Sequence, residues 1–114
     1  MAGPGAGQFR YKVQFRRATR TDDGISEVET WADFGIPVRA RRRDASDTER
    51  WRAAEVGATI SARFVVRWSD LAAGITARDR LVCDGREYDL MAPREVFDRR
   101  RRYIEFSATA RADQ

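Results

Sequence analysis

The chain of 114 residues contains no histidine and only one cysteine, and both absences exclude whole classes of chemistry. Histidine is the commonest general base and the commonest metal ligand in proteins. Without it, the nucleophile systems that pair serine or cysteine with histidine cannot be built. Cys83 alone can form neither an intramolecular disulfide nor a thiolate metal site, and its neighbours Leu81 and Val82 predict a buried thiol. We therefore expect a protein that is not an enzyme and that uses no cofactor or metal.

Long apolar runs and phosphate-binding glycine loops are missing as well. No stretch is long enough to predict a membrane span, so we expect no membrane partner. The first eight residues, MAGPGAGQ, have neither the basic start nor the apolar segment of a secretory signal, and we expect residues 1–8 to be a flexible lead-in. Their glycines precede no strand–helix unit of the kind that holds a phosphate group.

Basic residues outnumber acidic residues, and all but one of them are arginine. The chain has 22 lysines and arginines against 18 aspartates and glutamates, which gives a net charge of +4. Arginine can bind a phosphate through two hydrogen bonds at once, but so mild and mixed a balance does not indicate a strong nucleic-acid binder. Two arginine clusters are either phosphate contacts or solvated loops. They comprise Arg39 with Arg41, Arg42 and Arg43 in the middle of the chain and Arg99, Arg100, Arg101 and Arg102 near its end.

Alternation of apolar and polar residues predicts strands along most of the chain. Residues 9–17, FRYKVQFRR, alternate strictly and predict a half-buried antiparallel strand. Residues 18–29 contain the turn sequence Asp-Asp-Gly and predict a long exposed hairpin loop. A second strand is predicted over residues 31–41. Pro37 cannot donate a hydrogen bond to a neighbouring strand, so it indicates that this strand is an edge or carries a bulge.

The period changes to that of a helix over residues 46–57, SDTERWRAAEVG. Ser46 and Glu49 form the S-x-x-E capping box that satisfies free amide groups at a helix start, and Gly57 is a natural end. Trp51 lies on a narrow apolar stripe. Because a helix this short is marginal in water by itself, we expect the helix to dock on something.

The second half of the chain predicts four further strands. Residues 59–69 have the strongest alternation and predict a central strand. Asp84-Gly85 joins two short runs and predicts a type I′ hairpin, whose register sets Leu81 opposite Tyr88. Residues 103–109 predict the last strand. The hairpin residues that this register turns towards the core are Leu81, Cys83, Tyr88 and Leu90.

The patterns together predict a mainly β domain over residues 9–110, with a tail at 111–114. It has six short antiparallel strands and one helix between the second and third strands. Its most specific motifs are Glu-Thr-Trp at 29–31 and Asp-Gly-Arg-Glu-Tyr at 84–88. In this order and at this separation, the motifs resemble the phage head–tail joining family, the head-closure, stopper or head–tail adaptor proteins of long-tailed phages and gene transfer agents.

The resemblance implies a small β-barrel or sandwich with a helix-bearing insertion and a structural role without catalysis. In this family, copies assemble into a ring, a hexamer or a dodecamer, between the portal or head adaptor and the tail terminator or tail tube. Packaged DNA passes through the central channel, or is held in it, without sequence-specific contacts. The implied location is the head–tail interface of a virion or phage-like particle. Synthesis in the host cytoplasm, a reducing compartment, is consistent with the single cysteine.

The resemblance also assigns positions to candidate site residues. The insertion after the second strand, residues 41–47, matches the loop that faces the channel, so Arg41, Arg42 and Arg43 are candidate DNA-facing residues. The exposed hairpin loop, the edge strand and two tryptophans are candidate contacts with other subunits or partners. Each tryptophan belongs either to the core or to an interface. These interface candidates are Asp22, Asp23, Trp31, Pro37 and Trp51.

Two other functions stay open at the level of sequence. A small β-barrel nucleic-acid-binding module needs exposed aromatic residues interleaved with arginines on one sheet face. The first strand places its aromatic residues and its arginines on opposite faces, which argues against such a module. A different tail component, such as a tail terminator, would share the same general pattern.

Overall fold

The computed structural model describes residues 6–91, 93–95 and 102–111, which form one antiparallel sheet with short helices at its margins. A 3-10 turn, Ala6–Gln8, precedes the first strand. The strands of the described residues are β1 (Tyr11–Asp22), β2 (Glu27–Asp33), β3 (Val38–Asp44), β4 (Ala62–Arg67), β5 (Arg80–Cys83), β6 (Arg86–Leu90), β7 (Arg94–Glu95) and β8 (Tyr103–Ala110). The helices are α1 (Asp47–Glu55), between β3 and β4, and α2 (Asp70–Ala73), between β4 and β5.

Six of these strands close into a barrel, which confirms the mainly β, antiparallel prediction. Neighbouring strands follow the order β1-β3-β4-β8-β6-β5, and β5 pairs back with β1 from Arg16↔Arg80 to Val13↔Cys83. β2 extends outside the barrel and pairs with the second half of β1, and β7 lies against β8. Closure removes the free edges that an open sheet would expose.

The core fills the barrel interior because apolar residues alternate along each strand and point inward. β4 contributes Phe64 and Val66, and β8 contributes Phe106, all without exposed surface. The aromatic rings contact one another across the interior. The Phe64 and Tyr88 centroids lie 5.2 Å apart in an edge-to-face arrangement, and those of Phe15 and Phe106 lie 5.3 Å apart. Such pairs stabilise a core beyond the apolar area they bury.

The hairpin of β5 and β6 has the predicted register. Leu81 lies opposite Tyr88, and both are buried together with Cys83. Asp84 and Gly85 have φ angles of 52° and 76°, the left-handed conformation that a type I′ turn requires at both central residues. The Cys83 side chain is 1% exposed, and burial raises the pKa of its thiol. The predicted buried cysteine is therefore confirmed.

The prediction for residues 18–29 is wrong, because most of this segment is strand and not loop. β1 continues to Asp22 and β2 begins at Glu27. The Asp-Asp-Gly turn is present, but it joins two strands whose polar residues are exposed on both faces. Polar character alone therefore did not distinguish an exposed hairpin from an irregular loop.

The single edge or bulged strand predicted over residues 31–41 is instead two strands, β2 and β3, and Pro37 lies in the break between them. β2 and β3 pair with the same edge of β1. β3 pairs with its beginning, from Tyr11 to Val13, and β2 pairs with the part from Arg16 to Asp22. Pro37 lies exposed in the break between them. Gly35, also in the break, has a φ of 73°, and a β-carbon there would lie 2.6 Å from a methyl group of Leu71 in α2. Only glycine fits this position without displacing its neighbour.

Helix α1 begins as predicted but is held in place differently. The Ser46 hydroxyl accepts a hydrogen bond from the Glu49 amide at 3.2 Å, and the Glu49 carboxylate accepts one from the Ser46 amide at 3.4 Å. Gly57, with a φ of 74°, follows its end. None of its residues is buried, and Trp51 is 76% exposed. Its apolar stripe is therefore left exposed, and what binds the helix to the barrel is polar.

Candidate assembly surfaces

The outer part of the β1–β2 hairpin projects beyond the barrel as an arm, which comprises residues 17–32. Its ladder runs from Arg16↔Asp33 to Asp22↔Glu27, and every residue from 19 to 30 is exposed. The molecule is accordingly elongated, with principal extents of 53, 33 and 25 Å. Because an isolated two-stranded hairpin is marginally stable in water, the order of the arm depends on its base or on a partner.

Beyond Arg17 at its base, the arm has one charged and one uncharged face because its side chains alternate. On the charged face, Arg20 lies 3.7 Å from Glu27 and 3.6 Å from Glu29. Trp31 is half-buried on this face. The Arg80 guanidinium stacks 3.9 Å from its ring centroid, and its indole N–H donates to Glu29 at 2.9 Å. The uncharged face carries small and β-branched residues, namely Thr19, Thr21, Val28, Thr30 and Ala32.

The tip of the arm combines acidic turn residues with an exposed isoleucine. Asp22 accepts a hydrogen bond from the Gly24 amide at 2.8 Å, and Asp23 accepts the amides of Ile25 and Ser26 at 2.9 and 2.8 Å. The hydrogen bonds from the Ser26 and Ile25 amides lower the pKa of Asp23. Ile25 is 94% exposed. The two aspartates therefore build the turn that presents this isoleucine to solvent.

The base of the arm is held by an ion pair whose carboxylate is buried. The Arg17 guanidinium donates two hydrogen bonds of 2.9 Å to Asp79 and one of 2.9 Å to the Gly74 carbonyl. It also stacks 3.8 Å from the ring centroid of Phe34. Asp79 is 3% exposed and accepts the Thr76 amide at 2.8 Å. Burial raises the pKa of Asp79, but the hydrogen bonds from Arg17 and Thr76 outweigh it, and the pKa is lowered overall.

A cleft of about 850 Å³ lies beside this ion pair, between the arm and residues 74–79. Trp31 and Arg78 contribute to its lining. Its one buried carboxylate, Asp79, is engaged by Arg17 and by the segment that precedes β5. A carboxylate bound in this way stays ionised, and its lowered pKa makes it a weak base. The polar groups beside the cleft therefore connect the arm to the segment before β5.

Helix α1 is tied to the outside of the barrel by one carboxylate. Glu49 accepts hydrogen bonds from Arg43 on β3 at 2.6 Å and from Arg63 on β4 at 2.5 Å. These hydrogen bonds lower the pKa of Glu49 to about 2. Arg63 also donates to Glu105 at 3.2 Å and to Ser107 at 2.9 Å on β8. The helix thus sits on a network of charges that spans three strands.

Replacing Glu49 by glutamine is expected to loosen α1 and leave the barrel intact. The change removes the charge from two partly exposed ion pairs, so we expect a loss of about 1 kcal/mol of local stability. Amide hydrogen exchange in α1 should then be roughly fivefold faster, with barrel strands unchanged. Glu55→Gln, on the same helix, is the matched control and should change neither. Unaltered exchange in Glu49→Gln would show that the ion pairs do not hold the helix.

The same link gives α1 a defined dependence on pH. A carboxylate whose pKa is lowered by folding stabilises the folded form above its unfolded pKa, here about 4.3. This contribution is lost as the pH falls from about 4.3 towards about 2, the pKa of folded Glu49. Exchange protection in α1 of the wild type should decrease over this range, whereas Glu49→Gln should lack this decrease.

The arginines predicted as a DNA-facing loop lie in a strand, which corrects the assignment of residues 41–47. β3 continues to Asp44, so Arg42 points to the opposite side from Arg41 and Arg43. Arg42 lies 3.4 Å from Asp44 and 4.0 Å from Asp84, at one end of the barrel. Arg43 is bound to α1. The three arginines therefore do not form one patch, and their contact with DNA stays a prediction.

The remaining candidate residues lie in separate places. Arg102 is exposed just before β8, and its carbonyl accepts the Trp68 amide at 2.7 Å. Arg99, Arg100 and Arg101 lie outside the described residues. Trp51 is exposed on α1, at the other end of the barrel from the arm. The structure thus brings Asp22 and Asp23 together at the arm tip and separates them from the other candidates.

Sequence reasoning missed the Arg17–Asp79 pair and Ile25. The partners of the pair are 62 positions apart, and no local pattern links them. An aspartate directly before the buried strand β5 was the one available signal. Ile25, an apolar residue enclosed by turn residues, was a visible signal for an exposed contact, but it was absorbed into a polar loop.

Neither a membrane-spanning helix nor a metal site is found in the part of the chain that the structure describes. Within it, no helix is long and apolar enough to span a bilayer. In the same residues, no three carboxylate or thiol side chains come together in a group that could hold an ion.

The comparisons with known proteins agree on the fold. A family model described as phage head completion protein matches residues 4–111. The chain is similar to the solution structure of protein SF1141 from Shigella flexneri 2a, with 22% identity, a TM-score of 0.73 and coverage of 97% of this chain and 100% of that chain. It is also similar to a chain in the virion of a native gene transfer agent particle, with 24% identity, a TM-score of 0.59 and coverage of 87% and 93%. No curated protein matches.

At these identities, the two solved structures show a shared fold. The family model goes further because it matches nearly the whole chain, from the residues before β1 to the end of β8. It also agrees with the resemblance drawn from the motifs at 29–31 and 84–88. The chain belongs to the phage head completion protein family and is a structural protein of the phage head.

Proposed function

We propose that the protein is a head–tail connector subunit whose copies form a ring between the portal or head adaptor and the tail. The observation that carries this proposal is the arm, which leaves the barrel and exposes every residue from 19 to 30. A two-stranded extension of this kind buries little of its own surface, so a neighbouring molecule is what would give it a stable environment.

A ring of identical subunits needs two different contact surfaces on each copy. Two exposed features, the arm and helix α1, are candidates for these surfaces, and the pairing of β1 with β3 sets them at opposite ends of the barrel. Tyr11 lies level with Ala40 and Val13 with Val38, so β3 runs away from the arm. Asp44 and the helix α1 that follows it therefore lie at the end opposite to the arm. An arm at one end and an exposed helix at the other suit head-to-tail contacts.

We further propose that the outer face of β3 lines the channel for DNA. Arg39, Arg41 and Arg43 share this face by alternation, and Arg43 is bound to Glu49. Arg39 and Arg41 are then the arginines of this face left for phosphate contacts. A small number of such contacts in each copy suits DNA that must slide, because affinity for DNA rises with the number of phosphates neutralised.

Electron microscopy of assembled particles tests the ring and the channel together. We expect a ring of this protein at the junction of head and tail, with the outer face of β3 towards the axis. A position elsewhere in the tail, as a terminator would occupy, would overturn the connector proposal. A correctly placed ring with β3 turned away from the axis would overturn the channel assignment alone.

Shortening the arm is expected to abolish tail attachment while the barrel still folds. Replacing residues 20–29 by Asp-Gly would join Thr19 to Thr30, two opposite residues of the ladder, through the turn sequence that the β5–β6 hairpin already uses. The barrel core is untouched, so circular dichroism and thermal unfolding should match the wild type. Particles made with this variant should be counted as tailed or tailless by microscopy. Tailed, infectious particles at the wild-type level would contradict a role of the arm in assembly.

A further inference from the structure

We propose that the arm tip of one copy docks on helix α1 of the next copy, with Ile25 in a groove beside Trp51. The inference rests on the proposed ring and names the two surfaces that would meet. Ile25 is 94% exposed at the tip, and Trp51 and Val56 are 76% and 81% exposed on and just after α1. Large apolar side chains this exposed are the ones whose burial favours association.

The receiving surface is a shallow groove of about 330 Å³ between α1 and the segment that leads into β4. Arg50 and Ala54 form its helical side, and Ala58 and Ile60 are on the other side. Small side chains at Ala54 and Ala58 leave space that one aliphatic side chain can enter. Trp51 follows Arg50 on the helix and is not part of the groove lining; in the proposed contact its exposed ring covers the inserted isoleucine.

Charge favours the same pairing. The arm tip carries an excess of negative charge, from three carboxylates and one guanidinium: Asp22, Asp23, Glu27 and Arg20. Arg50 and Arg52 flank Trp51, and neither forms an ion pair with the described residues. Of the three helix acids, Glu49 is paired with Arg43 and Arg63, and Asp47 and Glu55 lie at the two ends of the helix. Opposite charges at two surfaces orient them and speed their encounter.

The two surfaces cannot meet within one copy. They lie at opposite ends of the barrel, because β3 runs away from the arm towards α1. Each copy therefore offers one tip and one groove. A contact of this kind is head-to-tail, and it closes into a ring when the rotation between successive copies permits.

Disulfide cross-linking between variants with one added cysteine each tests the docking. The native Cys83 is 1% exposed and does not compete. Ile25→Cys and Ala54→Cys should cross-link when mixed under mild oxidation, and neither should cross-link alone. A chain with both changes should form a ladder of covalent oligomers. Arg86→Cys is the control, because Arg86 is exposed at the same end of the barrel as α1 and should not cross-link with Ile25→Cys.

A charge reversal tests the recognition separately. Arg50→Glu, added to Ala54→Cys, should lower the yield of the cross-link to Ile25→Cys several-fold at low salt. The difference should shrink at 1 M salt, where charges are screened within about 3 Å. An unchanged yield at low salt would overturn the electrostatic part of the proposal.

Native mass spectrometry of the wild-type protein distinguishes the docking from the ring. Oligomers without a link between positions 25 and 54 would overturn the docking and leave the ring in place. Dimers of Ile25→Cys alone would show that arms pair with each other, which also overturns it. A monomeric wild-type protein, together with no cross-link between positions 25 and 54, would also overturn the docking. Absence of the protein from the head–tail junction in particles is the separate result that would overturn the proposed function.

Discussion

Replacing Phe64 by alanine is expected to lower the free energy of unfolding by about 3–5 kcal/mol. Phe64 has no exposed surface, pairs with Phe106 on β8 and contacts the Tyr88 ring edge to face. The ring therefore fills the barrel between strands that are distant in sequence. Removing it leaves a cavity that a closed barrel cannot collapse to fill, because every wall strand is hydrogen-bonded on both edges.

Urea denaturation followed by circular dichroism measures this loss. Small domains are stable by about 5–15 kcal/mol, so Phe64→Ala is expected to unfold at a much lower urea concentration or not to fold. Phe64→Leu keeps part of the volume and should fall between this variant and the wild type. Ile36→Ala is the control, because Ile36 is an exposed residue in the break after β2, and its effect should stay within about 0.5 kcal/mol. Equal effects at positions 64 and 36 would contradict the barrel core.

Replacing Asp79 by asparagine is expected to lower the free energy of unfolding by about 1.5–3 kcal/mol. The change removes the charge that binds Arg17 through two hydrogen bonds. We expect the lower part of this range, since the Arg17 side chain is 39% exposed and water can replace its partner. The arm should lose its fixed angle to the barrel, because this pair joins β1 to the segment before β5.

Asp33→Asn is the matched control for this change. Asp33 pairs with Arg16, the neighbour of Arg17. The distance between the Arg16 guanidinium and the Asp33 carboxylate is 3.4 Å, and the Asp33 side chain is 64% exposed. Such surface pairs contribute about 0–1 kcal/mol. Denaturation midpoints measure both variants, and hydrogen exchange in the arm measures its order. A loss in Asp33→Asn as large as that in Asp79→Asn would contradict the special role of the Arg17–Asp79 pair.

The effect of Asp79 also has a definite pH dependence. Its pKa is lowered on folding, so the ionised carboxylate stabilises the fold above its unfolded pKa of about 3.9. That contribution is lost as the pH falls below about 3.9 and through the folded pKa. The stability difference between the wild type and Asp79→Asn should therefore be constant near neutral pH and should shrink in acid.

Some elements were predictable because their causes are local. The β5–β6 register follows from a two-residue turn and from alternation over a few residues on each side, and both act within the hairpin. The capping box of α1 needs only Ser46 and Glu49, three positions apart. The buried positions of β4 follow from strict alternation of apolar residues.

Other features depend on contacts between distant parts of the chain. Alternation shows which side of a strand is apolar, but it does not say which strand lies beside it. The closure of β5 onto β1 joins residues that are 64 to 70 positions apart. This closure decides that β1 leaves the barrel near Arg17 and continues as an arm. The direction of Arg42 likewise depends on how far β3 extends, which its pairing with β4 determines.

The amino-acid sequence by itself determined that this protein is mainly β, which faces of its strands are apolar and where its tightest turn lies. It also contained the motifs that indicated the family. The strand pattern and the turn could be read from the chain because short-range steric and hydrogen-bonding preferences determine them. The tertiary structure alone decided that the sheet closes, that a hairpin projects as an arm and that α1 is exposed at the opposite end. These are outcomes of long-range pairing, in which the burial of apolar side chains selects one arrangement among many that the local pattern allows.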